Sequence, residues 1–404
     1  MIDKQLRVLV GDRGLLGADA TGIPRVAPHT DEECSLVLSV ASSEGWRVRI
    51  EGSGTWMPTD APADLALTTR HLAGVTDLNP ADLVATVRAG TTWANLRATL
   101  LDQGAWVVTD PPGSGRSVGS IVATATSGPL RTGFGTLRDQ LLGLTLATGN
   151  GEIIRVGGKV VKNVAGYDIT KLAVGSFGAF GVITSVNLRL RAVPRVDTTM
   201  LAYGERDELL RAARSILEAG TTPAALEVVS PLATGQSRWA VVLRLLGSDA
   251  AVNADRLTIA DAVAPITLKE LDTSAAAQLW RTLLTQATAG ETTLRLGALP
   301  TALETALDTL AHYVDEECDD WIMVSVAAGV VRWSGEAQPN RLRLLRGVCA
   351  QLEMPITIER APWHVRSTIG HFGAYRENIG GIITSLRRSF DDRGILAVPL
   401  SDES

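Results

Sequence analysis

Four short runs of glycine and other small residues carry the chemistry of this sequence: Gly52-Ser53-Gly54-Thr55-Trp56, residues 110–117 (DPPGSGRS), 125–128 (ATSG) and 176–183 (SFGAFGVI). Backbone that lacks a Cβ turns tightly and approaches a ligand closely. Successive exposed N–H groups suit a phosphate or a flat, carbonyl-rich ring. The densest stretch is 160–191, VVKNVAGYDITKLAVGSFGAFGVITSVNLRLR, with three glycines inside 175–181. An ordinary helix-to-strand connection needs only one glycine, at the helix C-cap. Singly, each run fits any α/β protein. In this order they suit a flavin dinucleotide, which needs a phosphate cradle, a slot for its ring and backbone groups for the ring's polar edge.

Other nucleotide and nucleophile motifs fail on context. Gly113-x-Gly115 follows Pro111-Pro112 rather than a strand opening into a helix, so it is no Rossmann fingerprint. The sequence has no GxxxxGK[ST] loop, and Gly113-Ser114-Gly115 lacks the spacing of a serine elbow.

The elements that must position these loops follow from periodicity. Residues 31–45 read as a capped helix and 46–51 as a strand running into Gly52. Strands are expected at 64–69 and 82–89, a helix at 92–103 ended by Gly104, and a strand at 106–109. Residues 117–127, SVGSIVATATS, are all small or β-branched and let a large group approach, or let helices pack closely. Further strands are expected at 139–147, 152–156 and 182–191, with an amphipathic turn at 169–174. The 192–194 segment (AVP) is the best boundary, dividing the chain into 18–194 and 195–404. Beyond it, helices at 205–219, 248–262, 274–288 and 303–314 alternate with strands at 225–229, 239–245 and 323–331. This is an α+β pattern, an antiparallel sheet covered by helices. Helices at 341–352 and 379–390 are expected on the same domain.

With 404 residues, 45% hydrophobic and 20% charged, the chain reads as an ordinary globular protein of two domains. The net charge of −6 is spread out and no basic cluster follows a helix, which argues against nucleic acid as a partner. The first residues lack a signal-like apolar core, and no window has eighteen uninterrupted apolar residues. No transmembrane segment and a cytoplasmic location are therefore expected. Cys34, Cys318 and Cys349 are odd in number and far apart, which excludes a disulfide framework or a CxxC cluster site. His364 and His371, the nearest histidine pair, are seven residues apart, too far for one metal on a helix, so no metal site is expected. Trp239, Trp280, Trp321, Trp333 and Trp363 fall in the second half, as core or as a subunit-facing patch.

The order GSGT, PPGSGRSVGSIVATATSG and GGKVVKNVAGYDITKLAVGSFGAFGVIT resembles the vanillyl-alcohol-oxidase-type (PCMH-type) FAD-binding domain. Within that superfamily, KNVAGYD followed by GS-x-G-x-x-GVIT is most similar to the FAD-binding E-subunit family of glycolate oxidase, over roughly 24–194. The resemblance implies an α+β fold: a two-subdomain FAD-binding domain, then an α+β capping domain with an antiparallel sheet. It implies that Gly52, Ser53, Gly54, Thr55 and Trp56 cradle the pyrophosphate, and that Pro112, Gly113 and Ser117 run beside the ribityl chain and ring. Gly119 and Ser120 stand where the family has two glycines; Ser127 and Gly128 match a third loop. Gly178, Gly181, Val182 and Ile183 match the segment that holds the adenosine side. Neither 52–56 nor 112–128 contains the histidine or cysteine used for covalent flavin attachment, so non-covalent FAD is expected.

The resemblance further implies oxidation of glycolate, a 2-hydroxy acid, to glyoxylate, with the α-hydride passing to FAD. Electrons would leave through a second flavoprotein subunit and an iron–sulfur subunit. Such an assembly would be cytoplasmic, or held at the inner membrane by partner subunits. Alternatives are a self-sufficient D-lactate or other 2-hydroxyacid or alcohol oxidoreductase, and a structural subunit that has lost activity. The chemistry needs a cation for the carboxylate and a base for the hydroxyl proton; His371, Arg366 and Lys162 are the candidates. The chain departs from related dehydrogenases in lacking an H-x-H-x-G-D-G-N segment, in having Ala165 for threonine, and in ending 397–399 as AVP rather than NPG.

Overall fold

The computed structural model of the chain describes residues 2–158, 169–288, 290–314, 320–373 and 379–397. Lys162, the KNVAGYD segment with Ala165, Cys318 and residues 398–399 lie outside the described residues.

The first part of the chain builds two larger sheets and, among the described residues, one two-stranded pair. One orders its strands Leu15–Ala18, Pro24–Val26, Leu65–Thr68 and Val48–Glu51, the last two parallel. The helix Asp31–Glu44 packs on it, burying Cys34, Val37, Leu38 and Ala41 at the three- and four-residue spacing of one helix face. Thr30 Oγ1 accepts from the Glu33 amide at 3.0 Å, and Gly45 ends the helix in the left-handed region at φ 72°. The other sheet is antiparallel, in the order Val75–Asn79, Val84–Arg88, Val182–Arg189, Leu141–Ala147 and Ile153–Gly157. Its central strand, Val182–Arg189, follows directly on the SFGAFG loop, so that loop is anchored to the most tightly held strand.

The remaining chain forms a cap. Among the described residues its sheet has eight antiparallel strands, in the order Lys269–Glu270, Val196–Gly204, Trp239–Gly247, Ala225–Val229, Trp321–Ser325, Val330–Gly335, Thr292–Gly297 and Ile356–Arg360. Alternation along one strand separates its two faces. Ile322 and Val324 join the core under the helices Arg206–Glu218, Asp249–Ala262, Leu303–Val314 and Pro339–Gln351. Trp321 and Met323 join a smaller core with Trp280 of the helix Thr273–Gln286. Trp280, Trp321 and Trp333 are all buried, so for these three the core reading holds rather than the subunit-facing one.

Several expected elements differ. The strand expected at 323–331 is a hairpin, because Gly329 at φ 59° turns the chain between two paired strands. The expected strand at 106–109 shrinks to Ala105–Trp106, paired with Arg191–Ala192, so the 182–191 strand also divides after Arg189. Residues Leu137–Gln140 are helical, nucleated by a Thr136–Asp139 capping box, and the strand begins only at Leu141.

The helix Ile379–Phe390 leaves the cap. Leu386 and Phe390 pack into the antiparallel sheet's core, with the Phe390 ring 5.1 Å from Phe180. Ile395 and Leu396 then join the core of the first sheet, and the Val48 amide donates to Ile395 O at 2.8 Å. Apolar residues at 386, 390, 395 and 396 find their complementary surface on the first unit, which no local pattern encodes. Phe390→Ala is expected to cost about 3–5 kcal/mol. Hydrogen exchange should accelerate in Leu141–Ala147 and Val182–Arg189 while Trp239–Gly247 stays protected; the reverse pattern would assign the helix to the cap.

Candidate functional site

The strand Val48–Glu51 ends in a turn, 52–57, that forms one wall of a cleft of about 1020 Å³. Among the described residues, no amide of 53–56 donates a hydrogen bond to the protein. Four successive backbone donors without acceptors form a concavity suited to a phosphate. The turn is held by other groups: Ser53 Oγ donates to Gly115 O at 2.6 Å, and Thr68 Oγ1 to Gly52 O at 2.7 Å. A Cβ on Gly52 would come within 2.2 Å of Ser117 Oγ, and Gly54 adopts φ 72°. Both glycines are therefore required where they stand.

The facing wall comes from the small-residue helix Val118–Ala123 and the loop before Val182. Gly119, Ser120, Ala123 and Thr124 line the cleft together with Phe177, Gly178, Gly181, Val182 and Ile183. Phe177 sits at φ 52°, its amide bonded to Ala123 O at 2.8 Å. Pro112, Gly113, Ser117, Ser127 and Gly128 are not part of the lining. They stand behind it: Ser117 Oγ caps the Ser120 amide at 3.3 Å, and a Cβ on Gly128 would sit 1.9 Å from Asp110 O. The sequence loops converge, but only some of their residues reach the space.

His371 and Arg366 both border the cleft. His371 is 3% exposed, and its ring lies 4.5 Å from that of Phe177. Its Nδ1 is 3.0 Å from Ile358 O, and a carbonyl can only accept, so Nδ1 carries the hydrogen and Nε2 keeps its lone pair. Burial, reinforced by repulsion from Arg366, pushes its pKa down to about 4. The ring is thus neutral near pH 7. Arg366 is less available. Its Nε donates to Ala361 O at 2.7 Å, and Nη2 donates to Pro58 O at 3.2 Å and to the Asp60 carboxylate. These bonds tether the helix Trp363–Ile369 of the cap to the 58–60 loop, a different task from the expected anchoring of a substrate carboxylate.

Other charged groups emerge only in three dimensions. Arg116 has no exposure; its guanidinium lies 3.8 Å over the Trp56 ring, and Nη2 donates to Thr124 Oγ1 at 2.7 Å. Its Nε and Nη1 are buried without a partner among the described residues, and burial pushes its pKa down to about 9. The one sequence signal was a lone charge inside a run of small residues. Glu359 is equally buried and binds Arg332 Nε at 2.8 Å. Burial alone would raise its pKa, but Arg332 and Arg295 hold the carboxyl below the usual range. Asp110 and Glu227, both buried, are pushed up by burial to about 7 and about 8. No pattern in the sequence marks them.

Residues 24–157 match the FAD binding domain family. The chain has the PCMH-type FAD-binding fold, mixed α+β, and its cofactor is FAD. Glycolate oxidase subunit GlcE of Escherichia coli (strain K12) is 38% identical over 129 residues, 31% of this chain and 37% of that protein. Glycolate oxidase subunit GlcD of Bacillus subtilis (strain 168) is 32% identical over 209 residues, 50% of this chain and 44% of that protein. The mitochondrial D-lactate dehydrogenase [cytochrome] of Arabidopsis thaliana is 33% identical over 185 residues, covering 44% and 32%. The chain thus spans about half or less of the length of these curated relatives. Among solved structures, 4-ethylphenol oxidase from Gulosibacter chungangensis superposes with a TM-score of 0.76 at 14% identity, covering 99% of this chain and 97% of that one. That likeness concerns the fold alone.

The residues present fit the cofactor: free amides at 53–56, an Arg116 with unpartnered nitrogens behind Trp56, and a wall stripped of side chains at 178 and 181. Among the described residues, no helix is long and apolar enough to cross a membrane, and no three His, Cys, Asp or Glu side chains converge as metal ligands.

His371 also makes stability pH-dependent. The folded ring titrates at about 4 and the unfolded one near 6.5, so its contribution is lost as pH falls through that window. The stability of the wild type minus that of His371→Asn is expected to drop by on the order of 3 kcal/mol from pH 7 to pH 4. Urea unfolding at stepped pH checks this; a flat difference curve means the ring is charged inside the fold.

Proposed function

We propose that this chain is the FAD-binding component of a glycolate-type 2-hydroxyacid dehydrogenase, which passes electrons to partner subunits. The observation that carries the reading is one cleft uniting the unsatisfied 53–56 amides with the neutral, lone-pair-bearing His371. The likeness to the named glycolate oxidase subunits and D-lactate dehydrogenase supports the substrate class. The 53–56 amides take the pyrophosphate. Gly119, Ser120, Ala123 and Thr124 flank the ribityl chain, and Gly178, Gly181, Val182 and Ile183 hold the adenosine side. No histidine or cysteine occurs in 52–56 or 112–128, in keeping with a non-covalent hold.

FAD, when bound, supplies the two-electron acceptor for the substrate's α-hydrogen. His371 Nε2 takes the hydroxyl proton, and its low pKa keeps it ready as a base down to about pH 4. Phe177, its ring tilted against that of His371 at 4.5 Å, keeps water from that side. Arg366 holds the cap closed and destabilises protonated His371. Lys162 remains a second candidate for carboxylate or proton. The partners are a second flavoprotein subunit and an iron–sulfur subunit, in the cytoplasm or at the inner membrane through those subunits.

Purified protein should be yellow and release FAD on acid precipitation; colour retained in the pellet would show a covalent bond. Gly52→Ala, whose new methyl collides with Ser117 Oγ, should weaken FAD binding at least about tenfold, or about 1.4 kcal/mol. Glycolate added anaerobically, with partners present, should bleach the flavin. His371→Asn should slow that bleaching by roughly 10²–10⁴-fold at unchanged FAD content. Failure of any 2-hydroxy acid to bleach the complete assembly rejects the catalytic role. Steady oxygen turnover by the chain alone would instead make it a self-sufficient oxidase.

A further inference from the structure

A second cleft, about 1290 Å³, opens at the seam between the first unit and the cap. It draws Arg131, Arg138 and Lys171 from one side and Arg295 from the other, with Glu353 as the one acid among the described lining residues. Among the described residues, neither Arg131 nor Arg138 has a hydrogen-bond or ion-pair partner. Arg295 has only Glu359, at 3.7 Å, and that carboxylate gives its closer contact, 2.8 Å, to Arg332. One carboxylate is therefore shared among several guanidinium groups. Arg131 is half-buried, and burial followed by repulsion from Arg295 and Arg332 lowers its pKa. Cations without an ion-pair partner among the described residues, as Arg131 and Arg138 are, attract an anion at a partly desolvated site.

The floor of this cleft includes Ala125, Gly297, Ala298 and Gly329, which leave the guanidinium groups room for a small ligand. It also backs onto the flavin cleft. Thr124 lines the first cleft and its neighbour Ala125 the second. Thr357 lines the second cleft and bridges to Phe372, which adjoins His371.

We propose that Arg131 and Arg295 clamp the carboxylate of a small organic acid in this second cleft, one guanidinium from each unit. The inference deepens the hydroxy-acid reading, on which the identity of that acid as substrate rests. It assigns carboxylate recognition to residues other than Arg366, whose fork is occupied. Because the clamp has one arm on each unit, the acid binds only when the cap is seated.

Oxalate, a carboxylate that cannot donate a hydride, serves as the probe by calorimetry on the FAD-loaded protein. It is expected to bind the wild type and to bind Arg131→Gln roughly 10–100-fold more weakly, the loss of a charge-assisted pair. The Arg131 guanidinium makes no hydrogen bond or ion pair among the described residues, so this variant should remain native, whereas Arg295→Gln also disturbs Glu359 and serves as the second probe. Oxalate affinity unchanged in Arg131→Gln, or no binding to the wild type, overturns the clamp. Inorganic phosphate competing as strongly as oxalate makes the cleft a phosphate site and also overturns it. Binding is read without turnover. Arg131-dependent oxalate binding by a protein whose flavin no hydroxy acid reduces would therefore keep the clamp and reject the dehydrogenase reading.

Discussion

Glu359 has no solvent exposure, and its carboxylate binds Arg332 at 2.8 Å while its backbone oxygen accepts the Trp56 indole N–H at 2.9 Å. Arg332 in turn donates from Nη2 to Ser127 O at 2.9 Å, and Arg360, the residue after Glu359, donates to Trp56 O at 2.9 Å. These bonds join the cap sheet to two of the small-residue loops at once. Ions this buried persist only when both partners and their remaining hydrogen bonds are satisfied; removing one leaves an uncompensated charge. The shape of both clefts depends on this, because Trp56 lines the first and Arg295, the second partner of Glu359, lines the other.

The same seam sets the protonation states around the cleft. Burial keeps His371 neutral near pH 7, and the Nδ1 contact to Ile358 O leaves Nε2 with its lone pair. Arg366 acts on the ring by its charge and tethers the cap to the 58–60 loop. Burial raises Asp110 and Glu227, on either side of the seam, in the opposite sense. Burial is the largest cause of all three shifts, lowering the imidazole and raising the two carboxyls.

Much of the first unit was legible in the sequence. The helix at 31–45 announced itself through its acidic start, apolar stripe and Gly45, and the strands expected at 46–51, 64–69 and 82–89 form at 48–51, 65–68 and 84–88. The loops at 52–56 and 176–183 were legible because glycine and small residues mark backbone that must come close to something. The cap was legible in its helices and less so in its sheet. Val196–Gly204, Thr292–Gly297 and Ile356–Arg360 interleave charged or threonine residues that count as polar locally but are buried by packing. The return of Ile379–Phe390 to the first unit was not legible at all.

By itself, the sequence determined the loops, their order and the flavin-sized demand they make, because φ preferences and missing side chains are local properties. Tertiary structure decided which of those residues face the space: Gly52, Gly119 and Gly178 do, while Pro112, Gly113 and Gly128 stand behind. It also decided which charges are free. Arg366 and Arg131 look alike in sequence, yet one is spent on Asp60 and two carbonyls while the other faces a cleft with no ion-pair partner among the described residues. The availability of a charge depends on groups brought from distant parts of the chain, and only folding brings them together.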